Sequence, residues 1–516
     1  MSGSIRVTYH VDGFKDAINT ALSEVEAVSF SKRLWAKDSS LWKKDNAHRQ
    51  VIDNSLGWLS APANMAEHLA ELDEFSMDIR RRGFKDVVLL GMGGSSLAPY
   101  VFSSIFQKKE GSPNLRVLDT TDPVAITNTE CAIDIEDTLF IVASKSGSTI
   151  EPLSLFEYFY STLSARVGSN AGENFIAITD PGSGLEKMAS EKGFLRVFRN
   201  QADIGGRYSA LSHFGLVPAA LFSVELKKLL DDTLEMIALC SEDKEGEANM
   251  AVKLGSVLGG LWKSGRDKLT FVIDEKFSSF GLWIEQLVAE STGKEGVGLV
   301  PITGEPLLGP SSYSDDRVFI NIRQKGGKVS KELIELKEAG HPLLELELDS
   351  EYSLGGGFFL WEAATAVAGY HLGINPFDQP DVEDAKIKAR KLLESIEKDS
   401  GGVGPHGDAI DIGGSAKLHL SPVACDLVKD IDGTSNKIKS ILSKAKYVGV
   451  LLYSDPMNTK PINELRELRE VIMKESGSAT QFGYGPRYLH STGQLHKGGS
   501  GECAFIIGVS RGKVDV

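Results

Sequence analysis

The stretch Leu139-Phe140-Ile141-Val142-Ala143 runs directly into Ser144-Lys145-Ser146-Gly147-Ser148-Thr149. A short, wholly apolar run bounded by polar residues predicts a strand buried on both faces. The loop that follows offers hydroxyls and backbone N–H groups at high density, the chemistry that holds a phosphate. Beyond it, the Leu and Phe spacing of Ile150-Glu151-Pro152-Leu153-Ser154-Leu155-Phe156 predicts an amphipathic helix. The loop would then sit at a helix N-terminus, where the macrodipole favours negative charge. By itself the pattern fits an ordinary Ser/Thr-rich helix cap equally well.

Outward from this stretch the same alternation repeats. Val87-Val88-Leu89-Leu90, Leu115-Arg116-Val117-Leu118-Asp119 and Phe175-Ile176-Ala177-Ile178-Thr179-Asp180 are apolar runs separated by helix-length segments. They predict a doubly wound α/β unit over residues 86–225, with ligands beyond the carboxyl ends of its strands. One such end carries Gly91-Met92-Gly93-Gly94-Ser95-Ser96. A dinucleotide fingerprint with Asp119 as the ribose acid fails there because Ser96 stands at the third glycine. Gly94 and Ser95, with Ser144, Lys145, Ser146 and Thr149, are instead candidate ligands for a compact monophosphate. Gly205-Gly206-Arg207-Tyr208-Ser209 adds paired glycines and a fixed positive charge, Arg207.

A helical, acidic bridge is expected over 226–266 and a second α/β unit from Lys268-Leu269-Thr270-Phe271-Val272-Ile273-Asp274 onward, spanning 267–400. Its first helix places Phe280, Trp283, Ile284, Leu287 and Val288 on one stripe, with Gln286 and Glu290 one turn apart on its edge. A carboxylate at such a boundary is partly desolvated, a setting that suits a general base, although most such residues are a solvated rim. Further strands are read at 317–322 and 343–348. Gln379 and Lys386 lie two turns apart on a helix opened by Pro380, so both can face one site. Residues 401–446 read as an insertion, and 447–516 as the strands and helix that close the second sheet. Between the last strands, Tyr488-Leu489-His490-Ser491-Thr492-Gly493-Gln494-Leu495-His496-Lys497-Gly498-Gly499 gathers two His, a Lys and three Gly. Residues 1–85 show helical spacing and are expected to wrap the first unit as a helical layer. Arg80-Arg81-Arg82 before Gly83 is best explained as cations at a helix C-terminus.

Composition narrows the classes. The 516 residues carry a net charge of −15, which argues against a nucleic-acid or acidic-membrane binder, since phosphate polymers attract basic faces. Four scattered Cys without CxxC predict a reducing, cytoplasmic setting. The ten His fall in no HxxH or HExxH spacing, so no metal site is expected. The N-terminus lacks an unbroken apolar region, which predicts no secretory leader. The most apolar stretch, Phe358 to Phe377, is interrupted by Glu362 and His371 and does not read as a membrane span.

GMGGSSL at Gly91, SKSGSTIE at Ser144, GGRYS at Gly205, EQLVAESTGK at Glu285, NPFDQPDVEDAK at Asn375 and LHSTGQ at Leu489 together resemble the motifs of the glucose-6-phosphate isomerase family. The resemblance implies two sugar-isomerase (SIS) domains, each a five-stranded parallel sheet flanked by helices, with no metal or cofactor. One feature departs from the usual order: the His motif stands after the Lys helix rather than between the Glu and Lys helices. That arrangement resembles the isomerase half of transaldolase/glucose-6-phosphate isomerase fusions, down to GYGPRYLHSTGQLHKGG at Gly483, without a transaldolase half. His341 is nearer the usual position but lacks the motif, so His490 is preferred.

The resemblance further implies reversible interconversion of glucose 6-phosphate and fructose 6-phosphate through a cis-enediolate. Ser95, Ser144, Ser146 and Thr149 would hold the phosphate, His490 and Lys386 would assist ring opening, and Glu290 would move the proton between C2 and C1. Arg207 would stabilise the enediolate, and Gln286 and Gln379 would position hydroxyls. Family members are commonly dimers in which the His reaches a neighbour's site, so a homodimer and a site within one chain both stay open. The alternatives are an isomerase for mannose 6-phosphate or an amino sugar phosphate, a sugar-phosphate sensor without turnover, and, weakest, a nicotinamide-dependent enzyme.

Overall fold

The computed structural model describes residues 3–383, 387–388, 410–411, 417–456 and 462–509. It begins with a strand, β1 (Ile5–His10), in the region where helices are expected. The sequence Ile5-Arg6-Val7-Thr8-Tyr9-His10 alternates in a period of two, and β1 pairs antiparallel with β10 (Leu343–Leu348), in the second sheet rather than over the first. The helices Lys15–Ala27, Asn46–Asp53, Ala61–Glu67 and Leu69–Arg81 then follow as the spacing predicts. Gly83, at φ +86°, stops the last of these, and Arg80 donates to Ser223 at 2.7 Å while Arg82 reaches Asp78 at 2.8 Å.

The first sheet comprises β2 (Asp86–Gly91), β3 (Asn114–Leu118), β4 (Thr138–Ala143), β5 (Phe175–Thr179) and β6 (Arg196–Arg199). All pairings are parallel, in the order β3-β2-β4-β5-β6. Every residue of β2, β4 and β5 is buried, because the pleat feeds two cores. Val87, Leu89, Ile141, Ile176 and Ile178 join one core with the N-terminal helices. Val88, Leu90, Phe140, Val142 and Ala177 join the other with Leu155, Phe156, Phe159 and Leu163 of the helix Ile150–Val167. The architecture is a three-layer α/β/α stack.

The second sheet adds β7 (Lys268–Ile273), β8 (Val300–Ile302) and β9 (Arg317–Gln324) to β1 and β10, in the order β1-β10-β9-β7-β8. Four of its strands are parallel and β1 makes it mixed. Behind it runs the helix Leu354–Leu372, buried along nearly its whole length. It packs on the helix Met250–Lys263, where a Cβ at Gly255 would lie 2.5 Å from the Ala364 carbonyl and one at Gly259 2.6 Å from His371. Half of the expected acidic bridge is therefore core. No helix of the described residues is long and apolar enough to cross a membrane.

The segment read as an insertion contains the short pair β11 (Ile410–Asp411) and β12 (Lys417–Leu418) and the helices Pro422–Leu427 and Thr434–Leu442. The strands after it do not close the second sheet. β13 (Tyr447–Tyr453), β14 (Ala479–Tyr484) and β15 (Cys503–Val509) form a parallel sheet of their own, ordered β14-β13-β15. β8 ends the second sheet because Pro301 has no N–H to offer a further strand. Its carbonyl accepts instead from the Gln481 side chain, at 2.7 Å. Beside this contact, Arg469 donates to the carbonyls of Thr303, Gly304 and Thr480, and Glu305 is shared by Arg317 and Thr480.

Candidate active site

The carboxyl ends of β2 and β4 face the segment that precedes the helix Gly493–Gly498. After β2 the chain turns through Gly93, at φ +54°, where a Cβ would lie 2.4 Å from the His490 carbonyl oxygen and 3.0 Å from Gln286 Nε2. A Cβ at Gly94 would lie 2.1 Å from the Gly206 carbonyl, so the two glycine loops touch backbone to backbone. Gly206 itself has nothing within 4 Å of a Cβ; the close approach is made at Gly94. Ser95 is half-buried beside it.

After β4, Ser144 is buried and donates to Thr149 Oγ1 at 3.1 Å, while Ser146 and Ser148 are exposed and bonded to each other at 2.9 Å. Gly147 adopts φ +65° where the loop lies against residues 183–185. Thr149 stands at the N-cap of the helix Ile150–Val167 without a side-chain capping bond of its own. The hydroxyls and first-turn N–H groups are therefore grouped as an anion site requires. Lys145 differs: its ammonium is held by Asp180 and by the Ala202 carbonyl at 2.7 Å.

The helix Ser278–Thr292 brings Gln286 and Glu290 to the same place. Gln286 Nε2 donates to Glu290 Oε2 at 3.0 Å and to the His490 carbonyl at 2.9 Å. Arg207, on the turn Gly206–Tyr208, is 2 % exposed and stands 3.1 Å from Glu290 Oε1. Its other N–H groups reach Ser291 Oγ (2.8 Å), Gln379 Oε1 (3.0 Å) and the carbonyls of Pro376 (2.8 Å) and Asp378 (2.9 Å). A planar fork that spends all its donors in this way is fixed in place, and its charge needs no reorganisation when negative charge develops nearby. Gln379 also donates to Glu383 at 3.0 Å, on the helical turn that Pro380 opens. Lys386 lies outside the described residues.

His490 closes the arrangement from the same chain. It ends the turn Arg487–His490, and its Nε2 is 2.7 Å from Glu151 Oε1, in the first turn of the helix after the hydroxyl loop. Hydrogen bonds, with one ion pair between Glu290 and Arg207, thus run from that helix through His490 and Gln286 to Gln379. The structure brings together six of the predicted side chains (Ser144, Thr149, Gln286, Glu290, Arg207 and Gln379) with His490. It does not bring in His341, which packs on Phe319 and Tyr313 with Arg266 3.5 Å away. His496, six residues after His490, is a core histidine bonded to Gln481 at 2.9 Å, and burial pulls its pKa down to about 3. Asp119 does not stand free as a ribose acid: its carboxylate is gripped by Arg487 at 2.6 and 2.7 Å.

Sequence reasoning gives no role to Glu151 or Lys294. Glu151 has the ordinary look of a first-turn acid, and nothing local marks it. Lys294, just past the glycine that ends the Glu290 helix, resembles a C-terminal cation. It is buried, and its ammonium donates to the carbonyls of Asn375 (2.9 Å) and Asp378 (2.5 Å) and to Asp378 Oδ1 (2.8 Å). Burial, and secondarily the Arg207 charge, pull its pKa down to about 8. Lys294 and Arg207 together clasp the loop that presents Gln379. Among the described residues no group of His, Cys, Asp and Glu could hold a metal ion.

The phosphoglucose isomerase family model matches residues 68–306, which contain both glycine loops, the hydroxyl loop, Gln286 and Glu290. A probable glucose-6-phosphate isomerase of Methanococcus maripaludis is 28% identical over 389 residues, 68% of this chain and 86% of that one. The glucose-6-phosphate isomerase of Carboxydothermus hydrogenoformans is 28% identical over 397 residues, 66% of this chain and 85% of that one. The solved glucose-6-phosphate isomerase of Chlamydia trachomatis shares the fold, with a TM-score of 0.58 at 19% identity over 77% of this chain and 90% of that one. With the motifs placed around Glu290 as described, the chain is similar to the glucose-6-phosphate isomerases over the two glycine loops, the hydroxyl loop and the Glu290 helix.

Proposed function

We propose that the protein interconverts glucose 6-phosphate and fructose 6-phosphate, with Glu290 as the base that carries one proton between C2 and C1. The observation that carries this is the setting of Glu290, held between the Arg207 guanidinium and the Gln286 amide at 3.1 and 3.0 Å. The hydroxyl loop at Ser144, with Ser95 and the first-turn N–H groups of the following helix, anchors the phosphate. That remote anchor aligns the reacting carbons.

His490, oriented by Glu151, exchanges a proton with the ring oxygen so that the sugar opens. Lys386 assists at the same end. Glu290 then takes the proton from C2 of the aldose, the C1=O electrons move to O1, and the enediolate charge is met by Arg207. Passage of the O2 proton to O1, followed by return of the carried proton from Glu290 to C1 as the C2=O bond forms, gives the ketose, so the step is balanced without a redox partner. Gln286 and Gln379 hold the hydroxyls in register. The chain is further read as the type found as the isomerase half of transaldolase fusions, a reading supported by LHSTGQ standing after the Gln379 segment. Because His490 reaches Glu151 and Gln286 within one chain, the chemistry calls for no residue from a second subunit, whether or not the protein dimerises.

The test is a coupled assay on fructose 6-phosphate, with glucose-6-phosphate dehydrogenase and NADP, in the presence of EDTA. Turnover that survives the chelator is the expected result. Binding of fructose 6-phosphate without turnover would point to a sensor, and turnover confined to mannose 6-phosphate or an amino sugar phosphate would reassign the substrate.

A further inference from the structure

His490 is carried by a turn far in sequence from the first sheet, and Arg487, three residues before it, is what fastens that turn there. The Arg487 guanidinium meets Asp119, the residue after β3, in a two-pronged pair: Nε to Oδ2 at 2.6 Å and Nη2 to Oδ1 at 2.7 Å. Asp119 is 1% exposed and the Arg487 side chain 17%, so the pair is shielded from solvent. The guanidinium stacks over the Tyr100 ring, 5.5 Å from its centre. The single Ser96 O–H is shared between Asp119 Oδ2, at 3.3 Å, and the Gly93 carbonyl, at 3.1 Å. The pair is thereby tied to the glycine turn whose Gly93 would collide with His490 if it bore a side chain.

A surface ion pair would carry little weight. A fork-on-carboxylate pair fixes distance and angle together, and in a shielded place its geometry holds. The turn Arg487–His490 is four residues long, so fixing its first residue leaves its last little freedom. We propose that Asp119 and Arg487 are positioning residues that set the His490 imidazole against Glu151 and the ring oxygen of the closed sugar. This rests on the isomerase reading above and adds to it the pair responsible for the ring-opening geometry. Neither residue touches substrate.

A positioning role of this kind predicts a selective loss. Displacing His490 slows turnover of a sugar that must open its ring, and spares one that has no ring to open. The test compares fructose 6-phosphate with 5-deoxyfructose 6-phosphate, which lacks the hydroxyl that closes the furanose, using Arg487→Lys and the neutral pair Asp119→Asn/Arg487→Gln beside wild type and His490→Ala. Arg487→Lys keeps the charge but not the fork and is expected to lose about 10-fold or more in kcat on the closed sugar relative to the open one, within the range of one general acid–base step. His490→Ala should show the same selectivity, and thermal stabilisation by inorganic phosphate should be unchanged in both. Should Arg487→Lys fail to fold, the neutral pair, which leaves no unpaired charge, gives the same comparison. Equal losses on the two sugars, or no loss, would overturn the positioning role while leaving the isomerase reading intact. A wild-type chain inert on both sugars would overturn the two together.

Discussion

The two five-stranded sheets share an architecture but contribute to the site in opposite ways. The first presents loop ends: the turn after β2 and the hydroxyl loop after β4, whose backbone N–H groups and hydroxyls suit an anion. The second presents the buried side of one helix, Ser278–Thr292, whose Gln286 and Glu290 are locked by Arg207 and the His490 carbonyl. Groups that grip a phosphate remote from the reacting carbons meet the same charge in the ground and transition states. Side chains fixed in a shielded helix face can respond to charge as it develops. On the proposed reading, the difference teaches that phosphate grip and proton transfer are separable, one on each sheet.

The largest test of that division is Glu290→Gln. It should lower kcat by about 10²–10⁴-fold and leave stabilisation by inorganic phosphate intact in a thermal-shift measurement. Near-normal turnover would place the base elsewhere. Arg207→Lys keeps a charge but loses the fork, and about 10²-fold in kcat is the expected loss. A change confined to KM would mean that Arg207 belongs with the binding half. Ser144→Ala is the reciprocal case: it removes one neutral hydrogen bond, so about a 2- to 10-fold rise in KM with little change in kcat is expected. A fall in kcat alone would blur the division.

The smallest effect sharpens the comparison through stability. Glu285, beside Gln286 but facing away into the protein, is buried, and burial pushes its pKa up to about 8, against some opposition from Arg469. Because the folded value lies above the unfolded one, the native state binds the extra proton. The associated stability is present below pH 4.5 and is lost as pH rises toward 8. Glu285→Gln should therefore raise Tm relative to wild type at pH 8 and change it little at pH 4.5, with kcat near normal at both. An equal Tm shift at both values would contradict the assignment.

What the sequence made legible follows from signal length. β4 and its loop, β2 and its glycines, and the stripe carrying Gln286 and Glu290 are local patterns that their neighbours reinforce. β1 was hidden because six alternating residues stand in front of five helices. β8 has only three residues and includes Pro301, and β14 is polar and contains Gly483. The independence of the C-terminal sheet was beyond reach, since it turns on which edge Pro301 denies. In the site, Arg207, Gln379 and His490 carried recognisable residue types at informative positions. Lys145 carried the right type too, yet Asp180 and the Ala202 carbonyl hold its ammonium. Glu151 and Lys294 could be found only through partners 339 and more than 80 residues away.

The antiparallel edge formed by β1 has a consequence for synthesis. Ile5–His10 leave the ribosome well before the backbone they pair with, Leu343–Leu348, which follows more than 330 residues later. At about 5–20 residues per second that is roughly 17–70 s during which a strand-prone hexapeptide has no partner. Arg6 and Thr8, both exposed even in the finished edge, are the polar residues that interrupt its apolar members. Charge on such a strand discourages pairing with the wrong neighbour, so the strand passes much of translation as a waiting edge that Arg6 keeps from pairing wrongly.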